Sequence, residues 1–501
     1  MLCKYCLSLL PRSEKDIWIN QPLFIQVDAI EIRLDDAGDK LDLKKLTRVL
    51  KIPVIVTIRS RQEGGGWDRS LSEKIRVYQK AIQEGINHLD IEWRESGEII
   101  PQLPLTPQHQ IILSHHTTTN EVDQLIHAFS EMLLAPADIF KFVYTARNLN
   151  DNLTALRLIE MARDKGVRYV IHAMGREGQL SRILGALRGN EFTYVSPNPQ
   201  TPTAPGQLSL QEARNVFSLH QKSSTTQLIG LLGYPVEQSR GWKLHNRLLQ
   251  RKRTQHAEQV GNFIYVNFPA RNLDDFWKNW EPLINGVSIT LPHKQDIISK
   301  LDFLSQSVEK STVCNTAMKR NGKWWGFNTD FLAICELLEA YNDLLWEGVF
   351  VYGAGATSRS VITALKELGI QQIFLASRDE EKGSSLAEEF HVRYVPKSEW
   401  KKWLFRTIIH TTPLGMFPNT QEMPPLESLL PDVKLVFDVV YNPAYTLLLQ
   451  QAQKYGCQVI SGEEMYVRQA CHQFQIFSGM AVDLNEVKEV WEEIRSESLT
   501  L

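Results

Sequence analysis

Eight short apolar or β-branched runs alternate with amphipathic stretches over residues 1–220, and that alternation restricts the first part of the chain to repeated βα units around a parallel sheet. The runs lie near CLSLL, DAIEIRL, VIVTIRS, HLDIEW, QIILSHH, IFKFVYT, RYVIHAM and FTYVS. Helical periodicity separates several of them, as from Leu71 to Gln83 and from Asn152 to Asp164. Eight such units predict a (β/α)8 TIM barrel, in which chemistry gathers at the C-terminal ends of the strands.

A polar stretch rich in Ser and Thr, His220 to Gln227, reads as a linker. Beyond it the pattern begins again with LIGLLGYP. Much further on, VFVYGAGATSRS places a glycine-rich turn between a strand and the helix-like Ser358 to Leu368, the setting that a dinucleotide site needs. The second part is therefore expected to be an α/β unit of two lobes. A substrate lobe over residues 227–330 and 465–495 would wrap around a Rossmann nucleotide lobe over residues 331–464.

Bulk composition narrows the class of ligand. With 43% hydrophobic and 23% charged residues, 501 residues can bury large cores in two or three domains. A formal net charge of -3, from 55 basic and 58 acidic residues, leaves no electrostatic footprint for nucleic acid or an anionic membrane. Small soluble molecules are the default partners. Of the six cysteines only Cys3 and Cys6 are close in sequence, and no histidine or second pair completes a zinc pattern, so they read as first-strand residues and no metal is expected. The apolar opening MLCKYCLSLL is short, runs straight into Pro11, Arg12 and Glu14, and lacks a cleavage site, so a reducing cytoplasm is the expected location.

Lys141 stands between Phe140 and Phe142 in a run read as a barrel strand, and parallel strands are covered on both faces. Burial disfavours an ammonium and leaves a neutral amine able to attack a carbonyl and form a Schiff base. A lysine at a strand end whose stem snorkels to water is the competing reading of that residue alone. Charged residues recur at the ends of the other runs, namely Glu31, Arg33, Arg59, Glu63, His116 and Arg182, and one barrel mouth would hold them all.

Together these residues resemble type I 3-dehydroquinate dehydratase, whose motifs occur here in order as EIRLD, IRSRQEGG, LSHH, ADIFK, AMGREGQLSR and TAPGQ. The resemblance implies that Lys141 forms the imine, that His116 is general base and then acid, and that Glu63 orients it. It further implies that Arg182 clamps the substrate carboxylate with Thr203 and Gln207 beside it. Glu31, Arg33 and Arg59 would hold ring hydroxyls, with Met174 also in contact. Thr203 stands where the family usually has Ser, which keeps the hydroxyl. His115, adjacent to His116 on a strand, must face the other way and is assigned a structural role.

In the turn Gly353-Ala354-Gly355-Ala356-Thr357-Ser358, Gly353 permits a tight turn and Gly355 lets a pyrophosphate approach the backbone. Ser377 and Arg378 end the following strand, where an NAD enzyme presents an acid, and Lys382 adds charge, so NADP(H) is expected rather than NAD(H). The surroundings resemble shikimate dehydrogenase in GYPVEQS, SITLPHK, CNTA, GFNTDF, GAGATSR, ASR, TTPLGM, DVVYNP and SGEEMYVRQACHQF. That resemblance implies a catalytic pair, Lys294 and Asp330. It implies substrate contacts at Ser239, Gly241, Thr290, Asn315, Tyr441 and Gln469. Cofactor contacts would come from Gly353, Gly355, Ala356, Thr357, Ser377, Arg378, Lys382, Thr412, Gly415, Met416 and Gly462.

Two positions depart from the dehydrogenase pattern: Gly241 and Trp242 replace Ser and Pro of SxSP, and Ser288 replaces the Asn of NxTxPxK. The first removes a hydroxyl for the carboxylate and opens space that quinate, with one more hydroxyl than shikimate, could use. The expected function is dehydration of 3-dehydroquinate to 3-dehydroshikimate followed by its reduction to shikimate. A reductase preferring quinate, or a ligand-sensing regulator that lost its chemistry, are the alternatives.

Overall fold

The computed structural model describes residues 3–256 and 261–497, and the chain divides between Thr226 and Gln227 into two compact units. The first holds nine strands: β1 (Tyr5–Leu9), β2 (Ala29–Arg33), β3 (Val54–Thr57), β4 (His88–Glu92), β5 (Gln110–His116), β6 (Ile139–Thr145), β7 (Arg168–Met174), β8 (Thr193–Ser196) and β9 (Leu208–Ser209). Every pairing is parallel, in the order β7-β6-β5-β4-β3-β2-β1-β8-β9. Helices connect the strands, as at Leu71–Gln83, which Ser70 and Glu73 start with reciprocal capping, and at Asp151–Asp164.

Strand alternation sorts side chains between two cores. Phe140, Phe142 and Tyr144 of β6 point outward against Leu125, Phe129 and Leu158 of the helical layer. The sheet curls so that Cys6, Ala29, Ile55, Ile112, Ile139, Val170, Phe192 and Tyr194 meet as one inner layer. The hydrogen-bonded ring of eight expected from the sequence is nevertheless incomplete: among the described residues no ladder joins β7 to β8. Side chains occupy that edge instead. Asn190 accepts from Ile171 N (3.0 Å) and donates to Ile171 O (3.1 Å), while Ser181 Oγ accepts from Ala173 N (2.7 Å). With Glu191 N donating to Tyr169 O (2.7 Å), these edge groups of β7 are satisfied without a neighbouring strand.

The stretch 220–227 is not the solvated tether its composition suggests, since Leu219, Lys222 and Thr226 are buried around it. The second unit begins on β10 (Gln227–Gly233), followed by β11 (Phe263–Pro269), β12 (Gly286–Ile289), β13 (Phe303–Leu304), β14 (Thr316–Arg320) and β15 (Lys323–Phe327). They form a mixed sheet in the order β11-β10-β12-β14-β15-β13. A second sheet contains β16 (Val349–Tyr352), β17 (Ile373–Ala376), β18 (Arg393–Tyr394), β19 (Thr407–His410), β20 (Leu435–Asp438) and β21 (Gln458–Ile460). Its order, β18-β17-β16-β19-β20-β21 with all strands parallel, is the doubly wound Rossmann arrangement, and its direction reverses between β16 and β19.

The helices Gly462–Ser478 and Leu484–Glu497 then return to the mixed sheet, where Val467, Phe474, Val490 and Trp491 pack with Ile229, Leu244 and Phe263. Among the described residues no helix is long and apolar enough to cross a membrane.

Candidate active sites

Inward positions of the first unit converge on one pocket. Its lining includes Glu31, Arg33, Arg59, His116, Lys141, Met174, Arg182, Thr203 and Gln207, all expected from the sequence, together with Ser8, Val143, His172, Ala204 and Tyr194, which were not. Glu63 stands behind the lining, on the turn Arg61–Glu63 after β3.

Lys141 is 5% exposed, and its Nζ donates to Glu31 Oε1 (3.1 Å) and Asp90 Oδ2 (2.9 Å) while lying 4.1 Å from the centre of the Tyr194 ring. Burial is thus not its whole environment: two carboxylates and an aromatic face surround the amine. Burial pushes the Glu31 carboxyl up, but Lys141 and Arg33 outweigh it and hold Glu31 below its usual range. Asp90 is held far down in the same way, by Lys141 and Arg59 against burial. Asp90 sits mid-strand in HLDIE, where nothing in the local sequence separates an inward carboxylate from an outward one.

Arg59 is also more occupied than expected. Its guanidinium, 2% exposed, meets Asp90 (2.6 Å), Ser114 Oγ (2.8 Å), Glu63 (3.0 Å) and Glu92 (3.4 Å). It therefore organises the carboxylates, and little of it is left for substrate hydroxyls. Arg33 is held by both oxygens of Asp35. Arg182 is the contrast. It is 3% exposed, its Nε has no partner, its Nη2 makes only a 3.4 Å bond to Pro205 O, and among the described residues no carboxylate pairs with it. Burial pulls its guanidinium down to about 10. A buried cation without a counter-ion is a site prepared for an anion.

His116 donates its backbone N–H to Glu63 Oε2 (2.9 Å), and its Nδ1 lies 3.4 Å from the same oxygen without an aligned hydrogen bond. Burial, then the charges of Arg59, Lys141 and Arg33, push its imidazole well below the usual histidine range, so it is a neutral base. His115 does face away, against Trp93 and Phe142, but its role is not confined to packing: its Nδ1 lies 3.0 Å from Glu63 Oε1. The reason is that Glu63 reaches around the strand end, which alternation along β5 cannot reveal. Thr203 Oγ1 bonds Ser8 Oγ (2.8 Å) and Gln207 Oε1 (3.1 Å), closing the Arg182 side.

In the second unit, Lys294 Nζ donates to Asp330 Oδ2 at 2.6 Å, both side chains being largely buried. Asp330 lies in the first turn of the helix Thr329–Glu339, which Asn328 caps through Phe331 N (3.0 Å). Asn315 accepts from Thr329 N (2.8 Å) and donates to Thr329 Oγ1 (2.9 Å), and Gln469 Oε1 approaches the same hydroxyl at 3.5 Å. Asn315 and Gln469 thus support the residue before Asp330. Thr290 is half-buried four residues before Lys294, and Tyr441 stacks on Tyr466 with centroids 4.6 Å apart.

Gly241 is bordered by hydroxyls at ordinary contact distance. A Cβ built there would meet Ser239 Oγ at 3.5 Å and the Tyr265 hydroxyl at 3.7 Å. Ser288 turns its hydroxyl to Gln473 Oε1 (3.0 Å).

The nucleotide turn occupies the point where the second sheet reverses. Gly353 has φ 135°, and a Cβ there would come within 2.3 Å of Thr411 Oγ1, so the close approach of the two loops requires glycine. At Gly355 an added Cβ would meet nothing within 4 Å, which leaves the backbone open to a phosphate in front of the helix Ala356–Glu367, whose first residues are Ala356 and Thr357. Ser377 and Arg378 follow β17, and Lys382 is exposed with Asp379 at 3.7 Å. Thr412 is fixed by a relay the sequence did not disclose: its hydroxyl meets His410 Nε2, and His410 Nδ1 meets Asp438 Oδ1 at 2.9 Å, fully buried. Gly415 has φ 82°, Met416 is exposed, and Gly462 begins the helix that returns to the mixed sheet.

Known proteins resemble both units. Residues 5–224 match the family described as type I 3-dehydroquinase, and residues 231–317 match the shikimate dehydrogenase substrate binding domain. A chloroplastic bifunctional 3-dehydroquinate dehydratase/shikimate dehydrogenase of Arabidopsis thaliana is 28% identical over 480 residues, 90% of this chain and 78% of that protein. A shikimate dehydrogenase (NADP(+)) of Caldanaerobacter subterraneus subsp. tengcongensis is 32% identical over 283 residues, 55% of this chain and 98% of that protein. Among solved structures, shikimate 5-dehydrogenase from Thermus thermophilus in complex with NADP(H) and shikimate is 27% identical. The match covers 54% of this chain and 99% of that one, with a TM-score of 0.47.

Proposed function

This chain belongs to the shikimate dehydrogenase family through its second unit and to the type I 3-dehydroquinases through its first, and from that premise we propose which side chains carry the two reactions. The chain is a bifunctional enzyme of the shikimate pathway, which dehydrates 3-dehydroquinate to 3-dehydroshikimate and reduces that product to shikimate with NADPH. The reductase's substrate lobe is assigned to residues 227–330 with 465–495, and its cofactor lobe to residues 331–464.

In the dehydratase, Arg182 takes the substrate carboxylate, as its missing counter-ion supports, with Thr203 and Gln207 alongside. Substrate entry brings the ketone to Lys141, whose Nζ adds to the carbonyl carbon while the two protons it gives up pass to the ketone oxygen, which leaves as water and gives an iminium. That cation withdraws electrons from the neighbouring C–H bond. Neutral His116 takes the proton, and the electron pair passes through the enamine to expel the hydroxyl on the next carbon. The departing hydroxyl leaves as water with the proton from His116, and hydrolysis frees Lys141. Glu63 holds the backbone of His116 and faces its ring, while Glu31, Arg33 and Met174 line the ring's path.

The observation that carries the assignment is Lys141 set between Glu31 and Asp90 in a pocket that also holds a neutral histidine and an uncompensated arginine.

For the reductase, Gly353, Gly355, Ala356 and Thr357 would cradle the pyrophosphate, and Ser377, Arg378 and Lys382 the 2′-phosphate. Thr412, Gly415, Met416 and Gly462 would border the nicotinamide. NADPH supplies the hydride. Lys294 gives a proton to the carbonyl oxygen as charge develops there, and Asp330 keeps the ammonium in place. Ser239, Gly241, Thr290, Asn315, Tyr441 and Gln469 form the substrate side. Six unpaired cysteines suit a reducing compartment such as the cytoplasm.

Borohydride added with 3-dehydroquinate is expected to leave a single adduct, on Lys141, by peptide mass spectrometry, and NADP+ reduction is expected to run faster with shikimate than with quinate. Labelling at another lysine, or a quinate advantage, would overturn the respective assignment.

A further inference from the structure

The pocket holds a second inward histidine that the mechanism above does not use. His116 on β5 is in register with Val143 on β6, and Val143 with His172 on β7. All three line the pocket, so two imidazoles flank one valine in a single row across three strands. At strand spacings of about 4.8 Å, their Cα atoms are roughly 10 Å apart, and both rings can reach one small cyclic molecule. Lys141 lies one inward position below Val143 on β6.

His172 is 6% exposed, and among the described residues its ring makes no hydrogen bond. Burial, then the positive charges of Arg182 and Lys141, hold its imidazole well below the usual histidine range. Register and lining fix its place in the site: His172 lies on the strand beside β6, one inward position above the level of Lys141, and lines the same pocket as Arg182. With Arg182 taking the carboxylate and Lys141 the imine carbon, a side chain at that level is within reach of the carbon that bears both the carboxylate and the departing hydroxyl.

We propose that His172 is a second substrate-contacting imidazole of the dehydratase, holding the hydroxyl on the carboxylate-bearing carbon so that it leaves toward His116. The inference rests on the roles given above to Arg182 and Lys141. His172 stays neutral throughout and exchanges no proton with substrate; it contributes one hydrogen bond to the hydroxyl. The proton taken by His116 leaves with that hydroxyl as water. Val143 keeps the row between the imidazoles apolar, so that the hydroxyl's partners are the two rings.

The test uses the full chain carrying His172→Leu or His172→Gln. Each is assayed for dehydration of 3-dehydroquinate and for borohydride-trapped adducts with 3-dehydroquinate and, separately, with 3-dehydroshikimate. His172→Leu is expected to lower kcat by roughly 10- to 100-fold, as for a misdirected reacting group. With 3-dehydroquinate its trapped Lys141 adduct should be heavier by one water than that of the unaltered chain, because imine forms but elimination lags. The adduct with 3-dehydroshikimate, which lacks that hydroxyl, should form as in the unaltered chain and thereby report an intact pocket. His172→Gln, which keeps a polar group at similar reach, should recover much of the rate.

Unchanged kcat in His172→Leu would overturn the proposal, and so would equal loss of both adducts, which marks a packing role. Absence of any Lys141 adduct in the unaltered chain would instead sink the imine reading on which it rests.

Discussion

His116 occupies the last inward position of β5, where burial and three cations, Arg59, Lys141 and Arg33, all disfavour its protonation. A group whose folded pKa is depressed keeps its neutral form as pH falls past the unperturbed value and loses it only lower down. The base is therefore expected to stay active through pH about 6.5, the ordinary histidine value. A profile of dehydratase kcat/KM against pH should place the acid limb below that value, and a limb at or above it would contradict the depression of His116 by burial and its neighbouring cations. The identities of Lys141, His116 and Arg182 could be picked from their motifs. Their partners could not: Asp90, His172 and Tyr194 are ordinary mid-strand residues until the sheet curls and turns them to one side. His115 teaches the same lesson, since it points away from the pocket yet bonds the carboxylate that serves His116.

Among the elements, β7 shows how side chains can stand in for a strand. Asn190 and Ser181 take up its edge groups, so the barrel wall ends its ladder there while the inner layer still packs around it. The turn after β16 is the other decisive element, because the loop after β19 crosses it closely enough to exclude a Cβ. Gly353→Ala would force Thr411 aside and strain a backbone at φ 135°. Thermal unfolding should report a loss of about 1–3 kcal/mol. Titration should show NADP+ affinity weakened at least tenfold, a loss of about 1.4 kcal/mol or more. Unchanged NADP+ affinity would mean that the turn does not carry the pyrophosphate. Alternating strands and helices were readable from hydrophobic period alone, but the missing ladder was not, because it depends on an amide that competes with backbone for the same hydrogen bonds.

For the whole molecule, the two lysines proposed to act in catalysis lie in separate compact units with their own cores. Lys141→Met is expected to lower dehydration by about a thousandfold or more while shikimate oxidation stays within about twofold. Lys294→Met should do the reverse. Paired assays on the same preparations check this: enone absorbance from 3-dehydroquinate beside NADP+ reduction by shikimate. Loss of both activities in either variant would show that the units do not work independently.

Order along the chain, the two fold classes, and the chemistry of the motif residues were determined by the sequence itself, because hydrophobic period and turn chemistry are local and because a lysine, histidine or glycine carries its reactivity or conformational freedom wherever it stands. Tertiary structure alone decided which charges compensate one another. Whether Lys141 meets one carboxylate or two, whether Arg182 is left without a counter-ion, and which groups border Gly241 all depend on distances between distant segments. Electrostatic and packing energies change steeply over those few ångströms, and nothing in the order of residues records them.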